Sequence, residues 1–125
     1  MLHSARSAVR AAVAGATLVL GAPLIGAGPR TASPDQRAHR AAERIHTVII
    51  EGLRYRPQVI VVRRGERVRW INEDPIPHTV TAIGGGFDSH SIPPEGSWTY
   101  VPAKTGEYDY ACTFHPTMKG KLQVR

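Results

Sequence analysis

The chain has 125 residues, a formal net charge of +6 and a single cysteine, a length that suits one small domain with an N-terminal remainder. One Cys excludes an intramolecular disulfide. The charge does not signal nucleic acid: from residue 45 onward ten bases stand against eight acids, with no long Lys/Arg run and no aromatics interleaved with bases.

Residues 1–10 carry Arg6 and Arg10 without an acid, and an apolar run follows over residues 11–27. This is the profile of a secretory signal peptide, with the small residues Gly26 and Ala27 at its end as a cleavage site. An uncleaved anchor is the competing reading, but Gly15, Gly21, Pro23 and Gly26 interrupt a run shorter than the ~20 residues a span needs. With the leader removed, no stable membrane insertion is expected, and the protein is periplasmic or secreted. Residues 28–44 are rich in Pro, Ala, Arg and polar residues with little to bury, so they are expected to form a flexible linker. Residues 37–44 can add one or two frayed helical turns.

Strand character begins at residue 45. Residues 46–53 and 55–62 are rich in Val and Ile, and Pro57 marks an edge or a bend. A polar turn at residues 63–66 leads to Arg-Val-Arg-Trp-Ile-Asn, whose alternation turns Val68, Trp70 and Asn72 to one side and the arginines to the other. An acidic, proline-rich loop at residues 73–77 precedes His78 and a short β run at 79–83. Residues 97–101 return to strand character. Tyr108, Tyr110 and Cys112 then share one face by the two-residue period, and residues 119–124 close the chain. Seven or eight short strands between Gly/Pro turns predict an all-β fold, an antiparallel β-sandwich over residues 45–125 whose loops cluster at its two ends.

Segment 112–118 reads Cys-Thr-Phe-His-Pro-Thr-Met. A thiol, an imidazole and a thioether within seven residues can be aimed at one point. Soft sulfur beside imidazole suits copper, and two His with one Cys and a weak axial Met describe a blue-copper electron-transfer site. His78, after Pro75, Ile76 and Pro77, is the candidate second imidazole. The alternative is structural: Cys112 as a small buried hydrophobe, His115 in a surface turn and Met118 as core filler. His90 reads as a surface loop residue, and Trp70 and Trp98 as packing.

Pro77-His78, the run Gly-Glu-Tyr-Asp-Tyr at residues 106–110, Cys-x-x-His-x-x-Met and Met118-Lys119-Gly120 resemble the small cupredoxins of the plastocyanin-like group. The three-residue gap from His115 to Met118 makes the chain most similar to the amicyanin branch. The resemblance covers residues 45–125. It implies a Greek-key sandwich holding one type 1 copper ion at its loop end, with His78, Cys112 and His115 as equatorial ligands and Met118 as the axial one. It also implies one-electron transfer by a monomer whose redox partner, a dehydrogenase, cytochrome or oxidase, docks near the solvent-side His115. Pro75, Ile76, Pro77, Phe114 and Pro116 would line that docking patch.

Two positions depart from the pattern. Thr79 stands where an Asn often tethers the ligand loops, and Phe114 stands where short loops often carry Pro. Phe114 keeps a backbone N–H that can reach the Cys112 sulfur, whereas Pro116 has none to give. Four protein ligands would leave no place for substrate, so the chain is not expected to be an enzyme. Copper delivery or storage is the rival function, and a non-metal structural module a third, because a fold does not fix a function.

Overall fold

A computed structural model of the protein describes residue 26 and residues 28–125. Apart from Gly26, the expected leader lies outside the described residues. Among the described residues no helix is long and apolar enough to cross a membrane. The described residues form one helix and eight strands, in order α1 (Pro34–Glu43), β1 (Ile45–Ile50), β2 (Tyr55–Arg56), β3 (Val59–Val62), β4 (Arg67–Asn72), β5 (Thr81–Ala82), β6 (Ser97–Tyr100), β7 (Gly106–Ala111) and β8 (Lys119–Val124).

The strands form two four-stranded sheets, ordered β2-β1-β4-β6 and β3-β8-β7-β5. The sandwich is as expected, but its pairing is mixed. β1 runs parallel to β4 and β3 parallel to β8, while the remaining pairs are antiparallel. Alternation along a strand tells which face is buried; it does not tell which strand lies alongside. The apolar stretch at residues 55–62 is also divided. Pro57 has no N–H for a ladder, and the chain leaves one sheet after β2 and enters the other at β3.

Burial follows the two-residue period closely. In β4, Val68, Trp70 and Asn72 are buried while Arg67 and Arg69 are exposed. In β8, Gly120, Leu122 and Val124 face inward. At the centre, the Trp70 indole N–H donates to the Tyr110 hydroxyl at 3.3 Å, and the two rings meet edge to face with centroids 5.7 Å apart. This arrangement favours the ring quadrupoles and satisfies a buried polar donor. Burial pushes the Tyr110 phenol up to about 12, against the lowering effect of the Trp70 bond.

α1 is longer than the frayed turns expected. Ser33 accepts from the Gln36 N–H while the Gln36 side chain accepts from the Ser33 N–H, and Pro34 opens the first turn. This reciprocal cap satisfies two otherwise orphaned donors. The C-terminal end is held to the sandwich by the Arg67 N–H, which donates to the Arg44 carbonyl at 2.9 Å.

Near this end Glu66 is 3% exposed. It accepts from the Arg63 N–H at 2.9 Å and lies 2.7 Å from His46 Nε2. Burial alone would raise its carboxyl. The Arg63 N–H, the His46 imidazole and the Arg44 guanidinium outweigh that and hold it below the ordinary value. A lowered folded-state value means that this group's stabilisation is present above the unfolded carboxylate pKa of about 4.3. It is lost as pH falls through the still lower folded value. Glu66→Gln is therefore expected to lower the urea midpoint at neutral pH and to narrow its gap from the parent in acid. A parallel offset at every pH would contradict this.

Candidate metal centre

The end of the sandwich to which β4 and β7 deliver the chain carries two loops. After β4 the chain turns through residues 73–77, held by Asn72. Its amide donates to the carbonyls of Ile76 (2.8 Å) and Ile92 (3.0 Å), and its Oδ1 accepts from the Asp74 N–H at 3.0 Å. His78 follows, fully buried, with its backbone bridged to Ile92 in both directions. After β7, Cys112 opens a turn closed by two main-chain bonds. The Cys112 N–H donates to the Met118 carbonyl at 3.2 Å, and the Met118 N–H to the His115 carbonyl at 2.9 Å.

These loops bring His78, Cys112 and His115 together, with one donor atom from each lying within 4.8 Å of the others. The Cys112 sulfur is 3.8 Å from His78 Nδ1 and 3.7 Å from His115 Nδ1. Metal bonds of about 2.0 Å to imidazole and about 2.3 Å to thiolate, lengths taken from zinc sites, would set N and S about 3.7 Å apart at a trigonal angle of about 120°. The donor set therefore fits one ion. Cys112 is 1% exposed and His115 is only half-buried, so one imidazole stands at the solvent boundary beside exposed Phe114 and Pro116. Met118 is buried in the core cluster at the far end of the turn.

Two supporting contacts escape the sequence reading. The backbone N–H that reaches the Cys112 sulfur belongs to Thr79, at 3.3 Å, and among the described residues no such bond comes from Phe114. The reason is local, because the loops are laced through Thr79. Its hydroxyl accepts from the Thr113 N–H at 2.8 Å and lies 3.2 Å from the Thr113 hydroxyl. The shorter side chain thus supplies the inter-loop tether. Behind it, the buried Tyr55 hydroxyl donates to the Thr79 carbonyl.

The second contact is Asp74, whose Oδ2 lies 2.8 Å from His78 Nε2. It leaves Nδ1, the nitrogen nearer the sulfur, free to bind metal, and such carboxylates orient the ring and raise its basicity. Burial would raise the Asp74 carboxyl, but the N–H groups of Leu53 and Gly52 and the His78 imidazole hold it below the ordinary value. An acid four residues before the histidine is the only sequence signal. Asp74→Ala is expected to weaken copper binding by roughly 10–100-fold, whereas Asp74→Asn, whose amide oxygen still accepts from Nε2–H, retains most of it. Equal losses in a chelator competition would show that the carboxylate charge, rather than ring orientation, is what matters.

A β-sandwich presenting a buried thiol between two imidazoles, with a methionine closing the same turn, defines a type 1 (blue) copper protein. The family model described as "Cupredoxin-like domain" matches residues 25–124, and the chain belongs to that family. Amicyanin of Paracoccus denitrificans is 32% identical over 92 residues, covering 70% of each chain. Amicyanin-alpha of Methylorubrum extorquens is 33% identical over 82 residues, covering 62% of this chain and 69% of the relative. Among solved structures, the Cu(I) form of an amicyanin variant matches with a TM-score of 0.62 and 29% identity, over 70% of this chain and 89% of the other. A Cu-containing nitrite reductase from Thermus scotoductus matches with a TM-score of 0.60 and 27% identity; 63% of this chain corresponds to 22% of that enzyme. The chain is thus similar to amicyanin, and it is a type 1 copper electron carrier.

Proposed function

We propose that His78, Cys112 and His115 are the equatorial ligands and Met118 the axial ligand of one copper ion in an exported monomeric protein that carries single electrons between redox proteins. The observation that carries this reading is the buried sulfur flanked by two imidazole nitrogens at 3.7 and 3.8 Å. Copper, when bound, supplies the Cu(I)/Cu(II) couple. The chain's own part is to hold the donors still. Asn72, Asp74 and Thr79 fix the ligand loops by hydrogen bonds, so little has to move when the charge changes. With four protein ligands no position is left for substrate, which separates this chain from an enzyme.

Residues 1–27 act as the export leader, residues 28–44 as a connector and residues 45–125 as the copper domain, in the periplasm or outside the cell. Partner docking falls around His115, where exposed Ile76, Phe114 and Pro116 offer an apolar rim. The partner is a dehydrogenase, cytochrome or oxidase. Adding Cu(II) to the purified protein is expected to produce an intense thiolate-to-copper visible band and a reversible one-electron wave. Rapid loss of the metal to a mild chelator, without reversible voltammetry, would instead favour copper delivery.

A further inference from the structure

The opposite pole of the sandwich carries a different chemistry. α1 and the turn between β3 and β4 line a cleft of about 660 Å³ whose walls include Arg37, Arg40, Arg44, Arg63 and Arg64. On the helix, the spacing 37, 40, 44 sets three guanidiniums along one face. All five arginines are exposed. Glu66, the one acid in the lining, is buried and already bonded to the Arg63 N–H and to His46. It stands 3.8 Å from Arg44. Among the described residues the other four arginines have no carboxylate within 4.0 Å. The helix's own acids, Asp35 and Glu43, do not line the cleft. Uncompensated guanidiniums converging on one concavity form an anion-recognition surface, and their planar forks match phosphate.

We propose that this cleft is a peripheral membrane contact that takes anionic phospholipid headgroups and leaves the copper pole facing away from the bilayer. Its place in the fold selects the occupant. β1 and β4 both start at this end and run parallel toward the metal loops, and a six-residue strand spans about 17–20 Å. Electron tunnelling weakens steeply with distance, so an acidic redox protein seated here would be poorly coupled to the donor cluster. A bilayer needs no such coupling.

Each arginine near an anionic surface contributes about fivefold to partitioning. The full chain is tested by co-sedimentation with vesicles of phosphatidylcholine alone and of phosphatidylcholine mixed with phosphatidylglycerol. Any contribution of the apolar run is common to both, so the difference between them reports the cleft. Partitioning is expected to be stronger on the anionic vesicles and to fall with added salt. Arg37→Glu/Arg40→Glu on the helix and Arg63→Glu/Arg64→Glu on the turn should each lower it by about tenfold or more, with thermal midpoints identifying any variant that fails to fold. Equal binding to the two vesicle types, or folded variants that bind as the parent does, overturns the proposal. Tighter binding to polyglutamate than to the anionic vesicles would also overturn it, in favour of an acidic protein. Loss of vesicle binding to stoichiometric inorganic pyrophosphate would do so in favour of a soluble phosphate ligand.

Discussion

Cys112→Ser is expected to abolish the visible band of the copper-loaded protein and its reversible redox wave while leaving the fold in place. The band is charge transfer from thiolate sulfur to Cu(II), and a serine hydroxyl is neither soft nor ionised at neutral pH. Two imidazoles remain, so Cu(II) can still bind, but without colour and with a hard oxygen in place of sulfur. The fold survives because the change is nearly isosteric and the Thr79 N–H, 3.3 Å from the sulfur, is available to the new oxygen. A satisfied buried hydroxyl of this kind costs less than about 2 kcal/mol. Absorption spectra and voltammetry of parent and variant decide the matter. A serine variant that keeps the band would remove Cys112 from the metal.

Gly120→Ala is expected to be the most damaging single-methyl change in the sandwich. Gly120 sits directly across from Tyr110 in the β7–β8 register, and a Cβ built on it would lie 2.3 Å from the tyrosine Cζ and 2.5 Å from its hydroxyl. The ring has nowhere to go. It is fully buried, bonded to Trp70 through its hydroxyl and packed edge-on against Tyr55 at 4.8 Å. Overpacking typically costs about 1–3 kcal/mol and occasionally more, and contacts this short against a held ring belong at the upper end; about 3 kcal/mol, at roughly 4–8 °C per kcal/mol for a domain of this size, lowers Tm by more than about 10 °C. Because β7 leads straight into Cys112, the strain should also broaden the copper spectrum. Adding Tyr110→Leu to Gly120→Ala should restore part of the loss, and the coupling between the two measures the clash. A thermal midpoint matching the parent would show that the strands can separate freely here.

Much of this architecture is legible in the residues themselves. The alternation in β4 reports its buried face correctly, and the spacing of Cys112, His115 and Met118 places three candidate ligands in one turn. His78 is harder to read, since nothing local to it says that residue 112 will lie beside it; the resemblance to cupredoxins supplies that. Parallel neighbours such as β1 and β4 stay hidden because pairing is a long-range choice. Asp74 and the Thr79 N–H stay hidden for a related reason: a hydrogen bond to a ligand depends on loop geometry rather than on composition. The capping box of α1 is different. Ser33 followed three residues later by Gln36 is a visible signature, and a reading that judges the segment by how little it has to bury passes over it.

Asp74 does more than touch His78. Its two oxygens also accept from the N–H groups of Gly52 at 2.7 Å and Leu53 at 3.0 Å, clipping the β1–β2 bend to the imidazole. A designer who wished to retune the couple need not disturb a donor atom. Altering that distant hairpin's length or rigidity would tilt the carboxylate and, through it, the ring, making residues 52 and 53 a remote adjustment screw for the redox centre.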